Sequence, residues 1–436
     1  MIVNVHLIPH THLDPMWKLT PDEYQKQCNM VTIYLAHCRF LLYVQILGSV
    51  IPSMMENSNR TFAWESMHFL HAFLSQHGSA NICKSDLSNT ILSSDDCVTY
   101  REAINILLER RQLEFVGGGW TAQDESLTSI FAALDDLSLG RRYITEHFGE
   151  EHLPTVGWFL DSFGHSSGTS GTLAGLGYRG QIFNRVSHHL KRQFKEHGPS
   201  FFWYRNQRNA KEFSIKRYTG QNRIYAEGGV EWEDGLWTLL LPEHYSSPPP
   251  LRLVESVEGR RKQQRPKRDL LLYYKTSARA TRIYVSGLPT IGCEQEGQGD
   301  MEGVAHVLLL VGDDFSHRHA DRSFFNIDGI LAEFNKHSKI NLRGSNSDGK
   351  SYVIQYSTPS RYFQSCAALY QSNAHISGRS MNSTLLTSVT QTEESKPRVS
   401  SPVHIAKGHL LPYSDNFVND WTGFYGSRPL LKQRIR

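Results

Sequence analysis

The chain has 436 residues, enough for one large domain or two to three ordinary ones. An apolar fraction of 39% with scattered glycine and proline excludes a disordered or fibrous chain. Lysine and arginine number 46 against 43 acids, a formal charge of +3, so no global field draws the chain to nucleic acid or anionic membranes.

The first predicted element is a strand in "MIVNVHLI", with no leader read ahead of it, and it runs into "HTHLDPMW", His10 to Trp17. On an extended segment residues two apart point the same way, so His12 and Asp14 could meet one metal ion such as zinc. The same pattern also suits a strand that simply exits into a polar loop. Residues 28–44 are apolar without clean periodicity. The stretch Met30 to Met55 carries His37, Arg39 and Gln45, costly at membrane depth, and is predicted as buried, not membrane-spanning. Thr99 to Arg111 is predicted as a helix opened by a Thr99–Glu102 capping box, with Ile104, Leu107 and Leu108 on one face. A strand follows in "QLEFVGG", from Gln112.

Ile130, Leu134, Leu137, Arg141, Ile144 and Phe148 form a helical stripe that Gly149 would stop. "TVGWFL" reads as a strand that delivers Asp161, a metal ligand, a nucleophile or a helix cap. "AHVLLLVG" delivers Asp313 and Asp314, where adjacent like charges tend to raise one carboxyl's pKa; a general acid and a solvated loop both fit. Residues 279–304 and 371–400, rich in Gly, Ser and Thr, are expected to be long loops or insertions. The basic run Gly259 to Asp269 lacks interleaved aromatics and is expected to be a solvated loop, not a nucleic-acid interface. The six cysteines form no CxxC pair, which argues against a cysteine zinc site and leaves their pairing open. Asn59 and Asn382 head glycosylation sequons.

Strand–helix alternation predicts an α/β fold with a parallel sheet and its site at the carboxyl ends of the strands. Three strand ends then offer carboxylates, one with a histidine, beside Trp17, Trp120 and Phe163. Paired carboxylates with aromatics to stack on are the equipment of a glycosidase, and metal-assisted hydrolysis is equally compatible.

"VHLIPHTHLDPMW", "RQLEFVGGGWTAQDESLT", "VGWFLDSFGHSS", "LLLVGDDF", "VIQYSTPSRYF" and "LLPYSDNFVNDWTGFYGSRPLLK" stand in the order seen in glycoside hydrolase family 38 α-mannosidases, which the chain resembles, in its lysosomal type above all. The resemblance implies an α/β catalytic domain, an irregular β/α barrel with a parallel sheet and long insertions, over residues 1–412. Residues 413–436 would begin a helical mid-domain. It implies Zn2+ held by His12, Asp14 and Asp161, with Asp161 also the nucleophile and Asp314 the general acid/base. Trp17, Phe163, Arg185, Asp313, Asp415 and Trp421 match substrate-binding positions, and Tyr245 is a looser match. The implied substrate is terminal α-linked mannose on N-glycan oligosaccharides and glycoproteins, and the implied location is the lysosome or secretory pathway.

The chain departs from the family at Ser162, where proline is usual, and at Met16, where glycine is frequent. The family's fourth zinc ligand, the histidine of an "HHD" motif, would lie beyond Arg436. Weak zinc binding and little activity are the expectation for the chain as written, and a non-catalytic, sugar-binding relic is the alternative.

Overall fold

The computed structural model describes residues 1–14, 42–83, 97–124, 129–197, 201–205, 214–218, 235–254, 267–287, 292–295, 303–336, 350–371, 403–407, 410, 413–416 and 421. In chain order the strands are β1 (Ile2–Pro9), β2 (Phe62–Trp64), β3 (Asn81–Cys83), β4 (Cys97–Thr99), β5 (Leu113–Phe115), β6 (Val156–Phe163) and β7 (Gly180–Arg185). They continue with β8 (Phe201–Arg205), β9 (Ser214–Tyr218), β10 (Gly235–Leu240), β11 (Gly292–Gln295), β12 (Val304–Val311), β13 (Ser351–Tyr356) and β14 (Val403–Lys407).

A four-stranded sheet runs β11-β12-β1-β13, with β1 parallel to both β12 and β13. The two inner strands are near-continuous apolar runs, as expected where helices cover both faces. A six-stranded sheet runs β6-β7-β10-β8-β14-β9. The expected parallel pairing forms in both sheets, joined by antiparallel strands that were not foreseen: β11 is antiparallel to β12, β8 to β10, and β9 to β14. The α/β class stands, with mixed sheets.

The expected strands form at β1, β5, β6 and β12. Helix Tyr100–Glu109 begins with the expected capping box: the Thr99 hydroxyl accepts from the Glu102 N–H at 3.2 Å, and Glu102 accepts from the Thr99 N–H at 2.8 Å. Helix Ile130–Phe148 ends at Gly149 as expected, but its apolar stripe is only partly buried. Leu137, Ile144 and Phe148 are core, whereas Ile130 and Leu134 face solvent. Gly140 lets this helix approach the "GGG" turn, since a Cβ there would stand 2.4 Å from the Gly118 carbonyl oxygen.

The expected loop over 279–304 is also corrected. Residues up to Gly287 belong to helix Lys267–Gly287, and Gly292–Gln295 is edge strand β11. Residues 259–266 of the basic run lie outside the described residues, and Lys267 to Asp269 open that helix instead of continuing a loop. Residues 372–400 lie outside the described residues as well.

Helix Leu42–Glu56 is largely buried and packs with helix Ala320–Lys336, which also covers β13. Among the described residues no helix is long and apolar enough to cross a membrane. Disulfides join Cys83 to Cys97 and Cys293 to Cys366, the second tying β11 to helix Pro359–Gln371.

Candidate active site

The parallel register of β1 and β12 extends past both strands into their polar ends. The His10 N–H donates to the Val311 carbonyl, the His12 N–H to the Asp313 carbonyl, and the Phe315 N–H to the His12 carbonyl. His12 is thereby paired in parallel with Asp314. Gly312 makes this possible, because a Cβ there would lie 2.1 Å from the His10 carbonyl oxygen. Phe315 and His317 hold positive φ at 53° and 63°, local strain of the kind that collects at functional turns. Asp313 stabilises the turn, accepting the Asp314 N–H at 2.9 Å.

Asp161 comes from the neighbouring sheet. The β6–β7 register slips between Phe159 and Phe163, and such a bulge re-aims the side chains it contains. The Asp161 Oδ2 lies 3.9 Å from His12 Nε2, which is itself 3.4 Å from Asp14 Oδ1. One ligand atom from each of His12, Asp14 and Asp161 lies within 4.8 Å of the others. An imidazole and two carboxylates at that spacing fit a divalent cation such as zinc.

The other oxygen of Asp161 is held by the protein. Arg185, the last residue of β7, donates to Oδ1 through Nε at 2.7 Å and again through Nη2. Burial opposes charge on Arg185, but Asp161 and Tyr413 raise its pKa beyond the ordinary arginine value. The Tyr245 hydroxyl lies within hydrogen-bond distance of both Asp161 Oδ1, at 3.1 Å, and Asp314 Oδ1, at 2.6 Å. Burial, then Asp161 and Asp314, push the Tyr245 pKa far up, so it stays protonated. Its position is fixed by His10, wholly buried, whose Nε2 bonds the Tyr245 carbonyl at 3.0 Å. His10 is thus structural.

Burial raises the Asp314 pKa, and Asp161 and Asp14 add to it. The expected cause, repulsion from adjacent Asp313, is not among the largest contributors. Burial works against charge on His12, but hydrogen bonds to Asp14 and Glu65 raise its pKa well above 6.5.

On the open side an aromatic wall forms. Phe163 lies 5.4 Å from Trp421 and 6.4 Å from Tyr413 between ring centroids, and Arg185 stacks over both Tyr413 and Trp421 at 5.7 Å. Asp415 accepts from the Trp421 indole at 2.9 Å and from the Tyr413 hydroxyl. A cavity of about 320 Å³ adjoins this wall, lined by Arg185, His244, Tyr413 and Asp415 but not by His12, Asp161 or Asp314.

Of the residues singled out in the sequence, His12, Asp14, Asp161, Phe163, Arg185, Tyr245, Asp313, Asp314, Asp415 and Trp421 converge on this cleft. Trp17 lies outside the described residues. Trp120 packs instead on His68, His71 and Tyr143. Two members were missed. Tyr413 sits inside the quoted "PYSDN" and could have been read from it; Glu65 follows a three-residue strand with no motif to mark it. Ser162, in place of the usual proline, gives its hydroxyl to the Gln123 carbonyl, a bond proline could not make.

The mixed α/β fold thus gathers a carboxylate-rich, metal-competent group of side chains at its strand ends. The description "Glycosyl hydrolases family 38 N-terminal domain" matches residues 2–85 and 88–380, and the chain belongs to that family. Alpha-mannosidase F of Dictyostelium discoideum is 26% identical over 437 residues, covering 99% of this chain and 33% of the relative. Human lysosomal alpha-mannosidase is 26% identical over 443 residues, covering all of this chain and 34% of the relative. The chain spans about a third of the length of these curated relatives. An alpha-mannosidase structure from Enterococcus faecalis V583 aligns with 84% of this chain and 29% of its own, with 13% identity and a TM-score of 0.46.

Proposed function

We propose that the chain is the catalytic domain of a retaining α-mannosidase that releases terminal α-linked mannose from N-glycans. The single observation that carries this is the Tyr245 bridge. One hydroxyl bonding Asp161 at 3.1 Å and Asp314 at 2.6 Å leaves the bonded oxygens less than about 6 Å apart. Retaining pairs stand about 5–5.5 Å apart and inverting pairs about 6.5–9.5 Å.

A single hydroxyl proton serves only one acceptor at a time. With Tyr245 donating to Asp161, its contact with Asp314 is favourable when Asp314 is protonated, and the raised pKa of Asp314 supports that state. Asp314 gives that proton to the leaving oxygen while Asp161 forms the bond to the anomeric carbon; deprotonated Asp314 then activates water for release. Arg185 and Tyr245 fix Asp161 through Oδ1. Phe163, Tyr413 and Trp421 offer apolar faces to the sugar, Asp415 an acceptor for a hydroxyl, and Asp313 holds the Asp314 turn. We assign Trp17 to the same subsite on the family resemblance. His12, Asp14 and Asp161 would hold Zn2+, which when bound supplies a Lewis-acid grip on sugar hydroxyls.

The catalytic domain is assigned to residues 1–412, with the two larger sheets as parts of one irregular β/α barrel and residues 413–436 leading into a helical domain. A lysosomal or secretory location is supported by the two disulfides and by the exposed Asn59 sequon. The reading is tested by proton NMR of the mannose first released from an aryl α-mannoside with added zinc. An initial α-anomer supports it, and an initial β-anomer rejects it.

A further inference from the structure

We propose that Glu65 is a positioning residue for the metal-ligand role of His12, an inference that rests on the metal-site reading above. It occupies the position just after β2 and is 8% exposed. Backbone register brings it there. His10 pairs in parallel with Ala63, so two residues further along both segments His12 and Glu65 fall opposite each other on one face. The Glu65 carboxylate accepts from His12 Nδ1 at 3.3 Å, and the His12 side chain is only 5% exposed.

The consequence concerns the other ring nitrogen. An imidazole has one lone pair to give a cation, and it lies on the nitrogen that carries no proton. An acceptor fixed at Nδ1 keeps the proton there, so Nε2 is the nitrogen left for a ligand. Nε2 is the atom that faces Asp14 at 3.4 Å and Asp161 at 3.9 Å. A carboxylate behind a ligating histidine also stops ring rotation and makes the free nitrogen more basic. Glu65 contributes no ligand atom itself; the clustered set is His12, Asp14 and Asp161. Removing it leaves a buried Nδ1–H unsatisfied and the ring free to turn away from the two aspartates.

The test compares wild type, Glu65→Gln and Glu65→Leu in the full chain. Zinc affinity is read by competition with a chromogenic chelator, and the visible spectrum is read after loading with cobalt(II). Glu65→Leu is expected to weaken zinc binding about 10- to 100-fold and to change the cobalt bands, whereas Glu65→Gln, which keeps an acceptor for Nδ1–H, stays within a few-fold of wild type. Metal-free melting curves report structural damage separately from affinity. A folded Glu65→Leu that binds zinc as wild type does, with the same cobalt spectrum, overturns the proposal. If Glu65→Leu does not fold, Glu65→Asp, which retracts the carboxylate by one methylene, takes its place with the same expected weakening. A wild type that binds no zinc overturns the metal-site reading, and this inference with it.

Discussion

Tyr245 was the loosest match in the sequence, yet its hydroxyl touches both Asp161 and Asp314. Nothing in "EHYSSP" signals that role, because it depends on three segments far apart in the chain. Replacing Tyr245 with Phe removes the bridge and little volume. It is expected to lower kcat/KM about 100-fold or more while leaving the melting temperature near wild type. Asp314→Asn tests the acid directly. Its kcat/KM should fall about 100- to 10,000-fold for substrates with a poor leaving group, and much less for an activated aryl mannoside that departs unprotonated. Equal losses on both substrates would remove Asp314 from the acid role. Because the Asp314 pKa is raised, its proton persists above the ordinary carboxylate range, and the alkaline fall of kcat/KM should disappear in this variant.

Among the elements, those that carry their own burial pattern were legible and those that borrow stability from a neighbour were not. The apolar runs of β1, β6 and β12 announce buried strands, and the Thr99–Glu102 capping box announces a helix start. Strand β11 lies in a Gly-rich stretch and exists through antiparallel pairing with β12, a long-range partner no local pattern reveals. Residues 279–287, "RATRIYVSG", were grouped with the Gly-rich residues that follow and so expected as a loop, while Ala278 and Val285 are buried on a helix packed against Ala320–Lys336. The joint between β1 and β12 depends on a single small residue. Gly312→Ala would drive a methyl into the His10 carbonyl, 2.1 Å away, and should cost about 2 kcal/mol or more by chemical denaturation. A wild-type midpoint would mean that the His12–Asp314 pairing does not need this close approach.

For the molecule as a whole, stability should depend on His6 in the four-stranded sheet. Burial, followed by His306 and Arg361, lowers its pKa to about 3, and its Nδ1 bonds the Ser357 hydroxyl at 2.8 Å; Tyr362 packs against the ring. A histidine whose folded pKa is depressed stabilises the fold above its unfolded pKa, and that contribution is lost as pH falls from about 6.5 toward 3. The stability gap between wild type and His6→Asn should therefore narrow steadily between pH 7 and pH 4. A gap that stays constant would contradict a neutral, buried His6. The Cys293–Cys366 disulfide closes a sequence separation of 73 residues, and its Cys→Ser double variant should lose about 4 kcal/mol.

The central claim is that Asp161 forms a covalent bond to mannose while Asp314 serves as acid and base. Incubation with a fluorinated mannosyl fluoride slows breakdown of a glycosyl-enzyme, and peptide mass spectrometry then locates the adduct. The predicted result is one fluoromannosyl increment on Asp161, absent in Asp161→Asn. Turnover of mannosides with no adduct, or an adduct on another side chain, would contradict the account.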